Sequence, residues 1–198
     1  MADTYYTISK EGEGLVREKM SRFLSFALHV STVEEAMGKV KEYQNRFHDS
    51  RHVCWAYMLG PERMQWQLND NGEPSGTAGK PILGQINSKG LTDVLVVVVR
   101  YFGGIKLGTS GLIVAYREAA RLALEDAETV ECHQTDRLRL EFAYEDMDAV
   151  MRVIKGEDIA VEEKNFDNLC SMTVVVRQDY RDKIEGLLGN KGVRIEKV

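Results

Sequence analysis

Residues 93–124 read DVLVVVVRYFGGIKLGTSGLIVAYREAARLAL. Val94–Val99 is an unbroken apolar run, the pattern of a central strand covered on both faces. Four glycines, Gly103, Gly104, Gly108 and Gly111, then fall within nine positions. A helical periodicity takes over near Ser110 and runs to about Ala127, with Ala115, Ala119, Leu122 and Ala123 as its buried stripe. Glycine at a strand–helix junction has two compatible readings. It supplies positive φ and close packing, or it lets a ligand approach the free N–H groups of the first helical turn, where the helix dipole favours negative charge. Thr109 and Ser110 add hydroxyls there, and Lys106 adds a mobile cation.

The rest of the chain sets bounds on these readings. Its 198 residues allow one large or two small domains, and 43% hydrophobic content supplies a core. The longest apolar run is broken by Arg100 and is too short to span a bilayer. The opening MADTYYTISKEGEG lacks the basic-then-apolar layout of a secretory signal. Cys54, Cys132 and Cys170 are odd in number and far apart, which suits reduced thiols, so the expected location is the cytoplasm. The net charge of −5 divides into −2 for residues 1–133 and −3 for residues 134–198. Neither part has the strongly basic balance of a nucleic-acid-binding domain. A local basic patch stands out, with Arg100, Lys106, Arg117 and Arg121 set against Glu118.

Strands are expected at 4–9, 13–18, 22–30 and 52–59. A helix over STVEEAMGKVKEYQNRF is capped by Ser31 or Thr32 in a capping-box pattern. RMQWQLN returns as a hairpin after Gly60-Pro61. A short helix runs from about Thr77 to Ser88, with Pro81 in its first turn. After ETVECHQTD the pattern restarts as a strand, helix, strand, strand, helix and strand over about 65 residues, the ferredoxin-like split βαβ order. The expected fold is therefore α+β in two domains, 1–132 and 135–198.

Around the glycine junction the chemistry is suggestive without composing a known fingerprint. The spacing fits neither G-x-x-x-x-G-K-[ST] nor G-x-G-x-x-G. The dipole and one lysine contribute about 1–2 kcal/mol at an exposed site. Asp70-Asn71-Gly72 is turn chemistry. If its loop and the glycine junction border one sheet, Asp70 and Glu73 face Arg100 and Lys106 across a shared surface. His48 and His52 are four residues apart but straddle a helix end and lack the H-E-x-x-H glutamate, so they read as capping or stacking residues rather than metal ligands. Cys54 reads as buried, although strand alternation puts it on one face with His52. Trp55, Tyr57, Trp66, Tyr101 and Phe102 read as core aromatics, with base stacking as the alternative use.

Two long motifs, DNGEPSGTAGKPIL at 70–83 and VVVVRYFGGIKLGTSGLIVAY at 96–116, together with HVCWAY at 52–57, resemble the signature of the YigZ/IMPACT family. The resemblance covers essentially the whole N-terminal part. It implies a βαβ-type first domain like those of ribosomal proteins, GHMP kinases and elongation factor G, and a second domain like the last domain of that factor. It also implies a theme of translation. Eukaryotic members restrain a starvation-sensing kinase by protein–protein competition, and bacterial members are regarded as RNA or nucleic-acid binders. The first motif carries over to Asp70, Gly72, Glu73, Pro74, Gly76, Thr77, Ala78, Gly79 and Pro81. The second carries over to Arg100, Tyr101, Phe102, Gly103, Gly104, Lys106, Leu107, Gly108, Gly111, Leu112, Ala115 and Tyr116. Where the family commonly has a second acid this chain has Asn71, which weakens a metal role.

The expected function is a non-enzymatic binding protein acting in translation or its regulation, through RNA phosphate or a ribosome-associated protein. Arg100, Gly103, Gly104, Lys106, Gly108, Thr109, Ser110 and Gly111 would meet the anion. Asp70, Gly72, Glu73, Pro74, Gly76 and Thr77 would frame the site. No catalytic residue, metal or cofactor is assigned, and the oligomeric state is left open. The alternatives are a hydrolase or phosphotransferase using Asp70 and Glu73 as acid/base or Mg²⁺ ligands, and a pure protein–protein regulatory module.

Overall fold

The computed structural model describes residues 3–167 and 169–198. These fall into two compact units, Tyr5–Cys132 and a second made of Asp3, Thr4 and His133–Val198. The protein is mixed α and β, with helices covering its larger sheets. Among the described residues no helix is long and apolar enough to cross a membrane.

In the first unit, β1 (Thr4–Lys10) pairs with β7 (Glu128–His133) in a small sheet. The main sheet has five antiparallel strands: β2 (Gly12–Glu18), β3 (Ser21–His29), β6 (Val94–Tyr101), β4 (His52–Leu59) and β5 (Gln65–Asn69), in that spatial order. Because β3 and β4 both run antiparallel to β6, they run parallel to each other with β6 inserted between them. The β3–α1–β4 crossover is thus a split β-α-β unit.

The apolar run explains why β6 is central. Val94, Val96 and Val98 face a core built with α2 (Gly79–Ser88) and α3 (Gly108–Asp126). Leu95, Val97 and Val99 face a second core with α1 (Val33–Arg46) on the opposite side. All six side chains are fully buried, each worth about 1.5–3 kcal/mol relative to exposure. A polar residue at any of them would meet an apolar layer.

Thr32 caps α1, its hydroxyl accepting from the Glu35 amide at 3.1 Å. The Glu35 carboxylate reaches back to the Ser31 amide rather than to that of Thr32, a capping box displaced by one residue. The other two helices of this unit begin two residues away from their expected starts, α2 later and α3 earlier.

The second unit contains β8 (Thr135–Phe142), α4 (Met147–Gly156), β9 (Ala160–Phe166), β10 (Cys170–Arg177), α5 (Arg181–Gly189) and β11 (Arg194–Lys197). Its antiparallel sheet has the order β11-β8-β10-β9. Leu138, Leu140 and Phe142 alternate into a core with Val150, Ile154, Ile184 and Leu188, as the period-two pattern of β8 requires. On the other face, Arg137 pairs with Glu162 and Arg139 with Glu141.

Candidate functional site

The acidic loop and the glycine junction meet at the end of β6 where it leaves the sheet. Their residues share a cavity of about 420 Å³, lined by Arg51, His52, Glu73, Pro74, Arg100, Phe102, Lys106, Leu107, Gly108, Thr109 and Leu112. Strand register brings the two motifs together, since His52 of β4 lies directly opposite Arg100 of β6.

The two acids of the first motif have different fates. Asp70 does not face Arg100 or Lys106, contrary to the sequence expectation. Its carboxylate turns into its own loop and accepts from the amides of Gly76 at 2.8 Å, Ala78 at 3.0 Å and Gly79 at 2.8 Å. These include the first amides of α2, whose N-cap residue, Ala78, has no side-chain acceptor to offer. The electrostatic reason is direct: a carboxylate gains more from three converging N–H groups at a helix N-terminus than from an exposed lysine. Pro74 O accepts from both the amide and the hydroxyl of Thr77, and so closes the same loop.

Glu73 does meet Arg100. Arg100 Nη1 donates to Glu73 Oε1 at 2.6 Å, with the two side chains only 6% and 3% exposed. Tyr116 donates its hydroxyl to the same oxygen at 2.8 Å. Both side chains form part of the cavity wall. The Arg100 guanidinium lies between the rings of Phe23 and Phe102, 5.4 Å from each centroid. Its buried Nε has no hydrogen-bond partner.

His52 completes the frame. Its Nδ1 lies 2.8 Å from the Asn71 carbonyl, which accepts only, so Nδ1 carries a proton. Nε2 is then left 3.8 Å from Glu73 Oε1. Asn71 Oδ1 accepts from the Val53 amide at 2.9 Å, so Asn71 ties the loop to β4. Gly72 packs beside the His52 ring. His48 caps the end of α1 instead, against Asn45 O. Cys54 is buried with its sulfur 3.0 Å from Asp70 O and 3.3 Å from the Tyr116 hydroxyl. Burial pushes its thiol up to about 12, so it is no nucleophile near neutral pH. Burial likewise holds the Tyr116 phenol far above its ordinary value, with Cys54 and Glu73 adding to the effect.

The glycines divide by role. Gly103 serves packing, because a Cβ there would stand 2.1 Å from the carbonyl carbon of Met20. Gly104 and Gly108 have φ of 86° and 75° with open space around them, so they turn the chain into α3 without closing off its end. Gly111, in the first turn, faces Leu107. The N-cap of α3, Leu107, has no capping side chain. No acceptor reaches the amides of Gly108, Thr109 or Ser110 among the described residues, and all three residues are exposed. Where α2 receives a carboxylate, α3 opens on the cavity.

The basic patch shrinks in three dimensions. Arg121 is held by Glu118 and Glu125, and Arg100 is paired with Glu73. Lys106 and Arg51 remain at the cavity with no side-chain partner among the described residues. The aromatic expectation also needs correction. Trp55 and Tyr57 are core residues, but Phe102 is 44% exposed and Trp66 is 54% exposed. Trp66 lies on the edge strand β5, which leaves one flank of its backbone and much of its ring in solvent. Phe102 follows the last residue of β6.

Sequence reasoning placed Tyr116 and His52 in the family motifs without giving either a part in this site, and it missed Arg51. Tyr116 was legible, since it falls four residues after Leu112 on the buried stripe of α3. Arg51 and His52 depend on strand order, which no local pattern states.

The Impact N-terminal domain matches residues 19–124, more than half of the chain and all of the residues that line the cavity. The chain belongs to the IMPACT family. The IMPACT family member YvyE of Bacillus subtilis is 39% identical to it over 131 residues, 66% of this chain and 60% of that protein. The member YigZ of Escherichia coli is 42% identical over 113 residues, 56% of this chain and 55% of that protein. These alignments therefore span less than two thirds of either relative. A crystal structure described as that of a hypothetical protein matches with a TM-score of 0.75 at 26% identity, covering 100% of this chain and 98% of that one.

Proposed function

We propose that this IMPACT-family chain is a non-catalytic binding module that takes an RNA phosphate at the N-terminus of α3 and acts in translation or its regulation. One observation carries the reading: the first-turn amides of Gly108 and Thr109 have no acceptor among the described residues, and both residues line a cavity that Arg100, Arg51 and Lys106 also line. Free amides, a helix dipole and cations converging on one recess make an anion site. The theme of translation comes from the resemblance of the two motifs.

Two further features favour binding over catalysis by the paired acids. Asp70 has both oxygens engaged by backbone amides. Glu73 Oε1 already accepts from an arginine and a tyrosine, which leaves only Oε2 for a substrate or a metal. A general base or a Mg²⁺ ligand needs lone pairs facing the substrate. The reading in which the site serves a protein partner draws on Met20, Ile105 and Val114, all exposed.

The test is fluorescence anisotropy of a labelled single-stranded RNA at about 50 to 200 mM salt. Lys106→Ala should weaken binding and lower the slope of log K against log salt by about 0.7, one phosphate contact on a single strand. Absence of RNA binding at about 50 mM salt refutes the proposal and leaves the protein-partner reading.

A further inference from the structure

We infer that the cavity selects a terminal phosphate carried by a nucleotide, as in a nucleoside 5′-monophosphate or the 5′-phosphorylated end of an RNA, with the base stacked on Phe102. This rests on the reading of the α3 N-terminus as a phosphate site and names what the phosphate belongs to.

Charge is the first argument. Glu73 offsets Arg100, but Arg51 and Lys106 have no offsetting partner among the described residues. With about half a charge from the helix end, the recess presents roughly +2.5. A phosphodiester carries a single negative charge, whereas a terminal phosphate carries about −1.5 to −2 at pH 7. The terminal group matches the site and also offers a third free oxygen. Donors for those oxygens are present in the amides of Gly108 and Thr109 in the first α3 turn and in the side chains of Arg51 and Lys106.

The second argument is Arg100 itself. It is nine-tenths buried, it lines the cavity, and its Nε–H lacks an acceptor. A buried donor left unsatisfied costs about 1–3 kcal/mol. The Nε itself is sealed from solvent, but the side chain lines the cavity, so the arginine contributes positive potential at the wall against which an anion would rest.

Phe102 supplies the third argument. The residue is 44% exposed and lines the cavity, and the Arg100 guanidinium lies over its ring. The cation fixes the ring from one side and leaves a flat apolar surface beside the phosphate recess. Pro74, Leu107 and Leu112 continue that apolar wall. Base–aromatic stacking is worth about 1–3 kcal/mol and tolerates any base, so discrimination should follow the phosphate rather than the sequence.

The experiment compares RNA oligomers of one sequence carrying a 5′-monophosphate or a 5′-hydroxyl, by anisotropy competition against the full chain. The 5′-phosphorylated form should bind at least tenfold tighter. Lys106→Ala and Arg51→Ala should shrink that ratio. Phe102→Leu should weaken a nucleoside 5′-monophosphate about tenfold while leaving the affinity for inorganic phosphate unchanged. Free nucleoside monophosphate displacing the RNA at comparable concentration identifies the mononucleotide as sufficient, and failure to displace identifies the RNA end; either result upholds the inference if the tenfold preference is seen. Equal binding of the two RNA forms overturns the inference and leaves the general phosphate reading standing. Absence of binding by both overturns both. Tryptophan emission from Trp55 and Trp66 verifies that each variant has kept the fold of this unit.

Discussion

Replacing Glu73 by Gln leaves the Arg100 guanidinium inside the protein without its counter-charge. Glutamine keeps the shape of the side chain and an acceptor for the Tyr116 hydroxyl, so the change is chiefly electrostatic. The side chains are 6% and 3% exposed and joined at 2.6 Å, well inside the low-dielectric regime. Breaking such a pair by removing one partner costs about 3–5 kcal/mol. That is a large share of the roughly 5–15 kcal/mol that holds a domain together. Arg100→Met should cost a similar amount, because it strands the carboxylate. The double variant Glu73→Gln/Arg100→Met removes both charges, and an apolar side chain can pack between Phe23 and Phe102. It should therefore be more stable than either single variant. Both tryptophans lie in the Tyr5–Cys132 unit, so urea unfolding followed by tryptophan fluorescence reads this unit alone. Single variants within about 0.5 kcal/mol of the parent, or a double variant showing the plain sum of two large losses, would refute the reasoning.

Other outcomes follow from the same contacts. Asp70→Ala strips three amides of their acceptor at the start of α2; it should destabilise by at least the roughly 1–2 kcal/mol of a lost helix cap, measured in the same urea experiment. Cys54, with its thiol pushed up to about 12, should be thiolate in only about one molecule in ten thousand at pH 8; iodoacetamide should modify it only after unfolding, as peptide mass mapping will show. Asp136 is held below the ordinary carboxylate range by Lys197 first, then by Gln178 and Arg181. Its ionised form is favoured in the folded state, so its contribution is present at neutral pH and is lost as acid protonates it. Thermal melts should accordingly fall from pH 5 to pH 2, with Asp136→Asn showing a shallower decline.

Much of this architecture was legible because its signals are local. Six consecutive aliphatic residues from Val94 to Val99 have only one economical placement, between two apolar layers. The alternation of Leu138, Leu140 and Phe142 fixes which face of β8 is buried. The candidate site was legible only in part, because its wiring is non-local. Whether Asp70 points outward to a lysine or inward to three amides is settled by a helix end nine residues later. The pairing of Glu73 with Arg100 was anticipated, since each flanks a strand of one sheet. Its burial behind Phe102, and the part played by His52, needed the order β6-β4 that brings His52 opposite Arg100. The glycine cluster, ambiguous between packing and ligand approach, serves both: Gly103 is needed against Met20, while Gly104 and Gly108 leave the end of α3 open.

Backbone amide resonances offer the most direct look at the phosphate claim. On titrating ¹⁵N-labelled protein with a short 5′-phosphorylated RNA, the signals of Gly108, Thr109 and Ser110 should move first and furthest, with Lys106→Ala reducing the movement. Those three signals staying fixed while RNA saturates the protein elsewhere, or the whole spectrum staying fixed, would contradict it.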